Sequence, residues 1–133
     1  MKYGLFVIIA TVLIGLAGCA SDKKKTDMNS ALRFYEKAIK WGNYADTRIL
    51  TEKPETREIL DQYKDIKVIS YEVLGQEIIG DFEQLNQVVE IKFYHEQQGA
   101  IKTIRDVQVW LYNKDRDSWV LKTGLPDFMS VFP

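Results

Sequence analysis

The hydrophobic spacing changes once along this chain, and that change limits the folds open to it. From Ala31 to Tyr63 the apolar residues recur at steps of three and four, which gives a helix one buried stripe. From Ile66 to Leu121 the spacing becomes alternating, as in strands covered on one face. Asn29 or Ser30 can cap a first helix carrying Ala31, Leu32, Phe34, Tyr35, Ala38, Ile39 and Trp41, with Gly42 as its stop. Asn43 can cap a short second helix with Tyr44, Ala45, Ile49 and Leu50. Pro54 suits the first turn of a third, running from Glu55 to about Tyr63. Strands are expected at Ile66–Leu74, Leu85–Gln97, Ile101–Asn113 and Trp119–Leu121, with Gly75–Gln84 as a looser connection. Helices followed by an antiparallel meander predict an α+β domain. Its N-terminal helices pack on one face of a curved antiparallel sheet of about four strands.

Register follows from the faces. A three-residue loop containing Gly99 keeps Val89 and Ile91 on the same face as Val107 and Val109, and that register is the one expected. The same logic sets Trp119 and Leu121 against Leu111 and Val109, with Val120 near Trp110 on the other face.

The N-terminus reads as an address. Met1-Lys2-Tyr3 is short and basic, and Gly4 to Leu16 carries no charge. That apolar run suits a signal-peptide core and is shorter than the ~20 residues of a spanning helix. It ends in Leu16-Ala17-Gly18-Cys19, which resembles the lipobox of bacterial lipoproteins. The resemblance implies cleavage before Cys19, acylation of Cys19, and membrane attachment through the lipid. With Ala20 after the cysteine, it further implies the periplasmic side of the outer membrane, or the outer face of a sole membrane. More than one acyl chain makes such anchoring stable, at ~0.8 kcal/mol per buried CH₂. The expected organisation is a signal peptide at 1–18, a lipidated Cys and flexible tether at 19–28, and one domain at 29–133.

Charge excludes some functions. Lys and Arg total 18 against 19 Asp and Glu, so no basic field exists for nucleic acid, and none is expected as a partner. One Cys and one His exclude an internal disulfide and a Cys/His zinc site. Phosphate loops, nucleophile elbows and metal-spaced carboxylates are absent from the sequence, so no metal and no cofactor is expected.

The run Phe34-Tyr35-Glu36-Lys37-Ala38-Ile39-Lys40-Trp41-Gly42-Asn43-Tyr44 resembles the opening of nuclear-transport-factor-2-like domains. Asp115-Arg116-Asp117-Ser118-Trp119-Val120-Leu121 resembles their closing turn and strand. A simpler cystatin-like arrangement of helix and sheet also accommodates these residues. The first resemblance implies a sheet curved around the helix, leaving a cone that in some members binds a small molecule or runs acid–base chemistry. His95, Thr103 and Arg105 share the expected core parity near Gly99. With Tyr35 they would form a ligand site, unless the strands overrun the helices there and these groups meet water. On the opposite parity, Tyr94, Ile104, Trp110 and Tyr112 interrupt charged positions, as contact surfaces do. That face would receive a homodimer copy or an envelope protein, or be covered by the chain's own Leu125, Phe128, Met129, Val131 and Phe132. Two functions stay open: a non-catalytic, membrane-anchored interaction or assembly module, and a small-ligand or minor enzymatic domain using the cone near His95.

Overall fold

The computed structural model describes the side chains of residues 20–133, so the lipobox and Cys19 lie outside the described residues. The fold is α+β, with an N-terminal helix packed on a four-stranded antiparallel sheet. Helix α1 (Lys2–Lys40) places Met28, Ala31, Leu32, Tyr35, Ala38 and Ile39 along one stripe against the sheet. Lys37 and Lys40 lie in its last turn, where they complement the helix dipole. Gly42, at φ 72°, then closes it: Gly42 N donates to Ile39 O and Asn43 N to Ala38 O, satisfying the last carbonyls.

Ala20–Met28, expected as a flexible tether, is helical. Its polar composition hid two anchoring residues. Met28 is buried in the core, and Lys24 O accepts the indole N–H of Trp119 at 2.9 Å. After α1, a 3₁₀ turn at Tyr44–Ile49 replaces the expected second α-helix, and Asn43 makes no side-chain cap. The third helix, α2 (Arg57–Tyr63), starts later than Pro54 suggested, because Thr56 Oγ1 caps it by accepting from Ile59 N.

Strands β1 (Ile66–Ile79), β2 (Gln84–His95), β3 (Ile101–Asn113) and β4 (Ser118–Leu121) pair in sequence order. β1 therefore runs through Gly75 to Ile79, and the turn is only Gly80–Glu83. Register shifts between Val68 and Ser70 and between Val73 and Gly75 bend β1 and return it to the helix face.

The β2–β3 register differs from the expected one. Ile91 pairs with Ile104, Val89 with Asp106 and Leu85 with Trp110. His95 O accepts from both Gln98 N and Gly99 N, so the chain wraps a helical turn before Gly99, at φ 73°, releases it. That loop returns β3 with the opposite parity to a three-residue loop, and every side chain of β3 changes face. β4 follows: Trp119 lies opposite Tyr112, Leu121 opposite Trp110 and Val120 opposite Leu111. Trp110, Trp119 and Leu121 are buried in the core beneath α1.

The C-terminal segment packs on this same inner face. Phe128, in a 3₁₀ turn (Phe128–Val131), meets Phe93, Tyr63 and Tyr44 at ring distances of 4.7, 5.2 and 5.8 Å. It does not cover the outer sheet face. Segment 50–52 instead runs along β4, where Leu121 N donates to Leu50 O and Glu52 N to Leu121 O.

Candidate functional site

The structure does not bring the expected ligand quartet together. Tyr35 is fully buried, its ring edge-on to Trp110 at 5.4 Å. His95 stays on the inner face, half-buried, with Phe132 at 5.7 Å and Nδ1 accepting from Gln97 N. Thr103 and Arg105 are exposed on the outer face, opposite Lys92 and Glu90. The parity change that moved β3 over separated them from His95.

The expected contact face divides in the same way. Tyr94 lies on the outer face, between Lys67 and Ile101. Trp110 is core, and Ile104 packs against the core. Tyr112 turns inward too, tilted against Trp119 at 5.7 Å, with Lys24 Nζ 5.1 Å above its ring. Its hydroxyl donates to Asp117, whose carboxyl is held below the usual range by Lys23 and by this bond.

The inner face holds a polar ladder in place of the quartet. Gln76 Nε2 donates to Gln87 Oε1 at 2.8 Å, and Gln87 Nε2 to Gln108 Oε1 at 2.7 Å. Gln108 Oε1 also accepts from Trp110 Nε1, while Gln108 Nε2 donates to Tyr71 Oη and to Asp106 Oδ2. Gln108 is fully buried and saturated on both ends of its amide, as a buried amide must be. Burial pushes the Asp106 carboxyl up to about 6, against the opposing bond from Gln108. Burial likewise raises Tyr71, so its hydroxyl stays neutral and keeps its proton. The ladder reaches solvent in a groove of about 210 Å³ between α1 and β1, where Arg33 and Glu36 face Tyr71, Gln76 and Gln87. Chemically, this set can recognise donors and acceptors and hold one proton near neutral pH.

One signal for the ladder was present in the sequence. Gln87 stands at the apolar parity of β2, among Leu85, Val89, Ile91 and Phe93, and a buried amide needs a partner. Gln76 supplies one from β1, and a register that sets Gln87 against Gln108 supplies the other.

The outer face is split along its length. Towards the Gly80 turn it is mixed: Val88, Val107, Val109, Leu111, Val120 and Ile79 surround the polar side chains of Glu77, Asn86 and Gln84, in rows Gly75–Val88–Val107, Glu77–Asn86–Val109 and Ile79–Gln84–Leu111–Val120. Towards Gly99 it is charged, with rows Glu72–Glu90–Arg105 and Ser70–Lys92–Thr103. Among the described residues every helical segment packs on the other face. β1 also has no strand on its far side. Ile69, Val73, Leu74, Ile78 and Ile79 there are 41–51% exposed, and Val107 is 59% exposed. Ile49, 74% exposed, lines an open groove with Phe34, Asp46, Arg48 and Pro54, and Trp41 is likewise 74% exposed.

Among the described residues, no group of three or more His, Cys, Asp or Glu is placed to hold a metal ion. No helix among them is long and apolar enough to cross a membrane. Comparison with protein-family models, with curated proteins and with solved structures finds no match to this chain.

Proposed function

We propose that this chain is a lipid-anchored, non-catalytic interaction module of the cell envelope. Cys19 is acylated and holds the domain to a membrane, on the periplasmic side of the outer membrane. The outer sheet face and the free edge of β1 receive an envelope protein. One observation carries the contact surface: exposed apolar side chains concentrate on the edge strand β1, with Val107 beside them on the outer face. A long apolar edge strand is a template for added β-structure, and monomers seldom leave one open. Anchoring confines the module to a surface and so raises its effective concentration towards a partner there.

A photo-crosslinking residue at Val107, in intact cells, tests the contact. A reproducible adduct with one envelope protein is the expected result. Adducts only from the same probe at Trp41 would move the contact to the helical layer, and none from either would sink the reading. Cys19→Ala is expected to accumulate uncleaved precursor without acylation; a processed, membrane-bound product would remove the anchor.

A second reading rests on Asp106. A half-buried carboxyl raised to about 6, wired through Gln108 and Gln87 to the α1–β1 groove, suits small-ligand recognition better than His95 does. A thermal-shift screen of amino acids, sugars and small carboxylates tests it. A compound that stabilises the wild type but not Asp106→Asn would carry this reading.

A further inference from the structure

The first described turns of α1 are fastened to one end of the sheet. Ser21 Oγ donates to both carboxylate oxygens of Asp81, in the β1–β2 turn, at 3.1 and 3.0 Å. Lys23 Nζ reaches Asp117, in the β3–β4 turn, at 2.8 Å. Lys24 O takes the Trp119 indole N–H, and Lys24 Nζ sits over the Tyr112 ring. From there α1 runs the length of the sheet, and the chain after it places Tyr44 Oη on Ile66 O, at the Gly99 end. Only Ala20 separates Cys19 from this docked stretch. A leash of one residue leaves almost no freedom to tumble.

We propose that the β1–β2 and β3–β4 turns are the membrane-facing end of the domain, set against the phospholipid headgroups by the docked start of α1. This rests on the anchoring proposed above and adds an orientation to it. The sheet stands on end. The Gly99 loop then lies roughly 40 Å from the bilayer surface, the length of a strand of this size at ~3.3 Å per residue. The half of the outer face that carries Val107 and Leu111 becomes the membrane-proximal half, so its protein partner must reach close to the membrane surface. Charge does not set the orientation. Lys23, Lys24, Lys25, Lys114 and Arg116 stand at this end among Asp22, Asp27, Asp81, Glu83, Asp115 and Asp117, and present no basic field.

The test uses the full-length protein in phosphatidylethanolamine–phosphatidylglycerol vesicles containing a headgroup nitroxide lipid. A fluorophore is attached to Asp115→Cys in the β3–β4 turn, or to Gln98→Cys in the distal loop; both positions are exposed. Quenching several-fold stronger at 115 than at 98, unchanged by high salt, is expected. A Gly-Ser-Gly-Ser insertion between Ala20 and Ser21 should abolish that difference. Equal or reversed quenching in the uninserted protein, or a difference that survives the insertion or vanishes in salt, overturns the proposal. Vesicle flotation separates the two possible failures. Protein that does not float refutes the anchor, whereas protein that floats and quenches equally at both sites refutes only the orientation.

Discussion

Asp106 pairs with Val89 across the sheet and presents its carboxyl to the inner face, where Gln108 Nε2 donates to it. Its folded value of about 6 exceeds the ordinary carboxylate value of 3.8, so the native state holds its proton where the unfolded state has lost it. Stability from this group is therefore present below pH ~4, falls as the pH rises towards 6, and is absent above. Asp106→Asn keeps an acceptor for Gln108 and removes the titration. It should match the wild type near pH 3.5 and exceed it by on the order of 2 kcal/mol at pH 7.5 in urea unfolding. A pH-independent difference would show that the carboxyl is as well solvated folded as unfolded. Trp110 is a different case. Fully buried, edge-on to Tyr35 and donating to Gln108, it should lose about 3–5 kcal/mol on replacement by alanine. Destabilisation below about 1 kcal/mol would place the ring at the surface after all.

At the scale of elements, the strands were legible and their pairing was not. β2 and β3 fall within two residues of where alternation puts them, because β-branched and aromatic residues crowd one parity. Alternation shows that two faces exist; which face of β3 meets which face of β2 depends on a single residue of loop. Here the His95–Gly99 wrap decided it, and with it the fates of Thr103, Arg105, Trp110 and Tyr112. The two irregularities in β1 left only a faint trace, the doubled apolar pairs Val68-Ile69 and Val73-Leu74, each followed by a small residue, Ser70 or Gly75. The candidate site followed the register: the parity change of β3 carried Asp106 and Gln108 inward, where they join Gln87 and Gln76 in the buried ladder. Gly99 gives a direct test of the loop. An added Cβ there would meet nothing within 4 Å, so Gly99→Ala isolates the backbone penalty of φ 73°. About 1 kcal/mol should be lost in urea unfolding with an unchanged slope. No loss would mean that the left-handed wrap, and the register it sets, is not what holds β3.

On the scale of the whole molecule, the decisive finding is where the folded unit begins. Composition places the boundary at residue 29, because Ala-Ser-Asp-Lys-Lys-Lys-Thr-Asp offers little to bury. Long-range contacts place it at or before residue 21: Ser21 to Asp81, Lys23 to Asp117, Lys24 to Trp119, and Met28 into the core. The exposed ion pair contributes little by itself. Burial of Met28 is worth roughly 1.5–3 kcal/mol, and the Trp119–Lys24 bond about 1 more. A chain of residues 29–133 should therefore be less stable than one of residues 20–133 by about 3 kcal/mol in urea unfolding. Its tryptophan emission should shift to the red as Trp119, 2% exposed in the intact fold, opens to water. Lys24→Ala is the control, because it keeps the backbone carbonyl that Trp119 uses and removes only the ammonium over Tyr112. That variant should stay within about 1 kcal/mol of the parent, the range of an exposed cation–π contact. Equal stability of the two lengths would return residues 20–28 to the role of a loose tether and free the domain to turn on its anchor. A clear loss makes the same residues part of the fold, so that whatever holds residue 19 also holds the sheet.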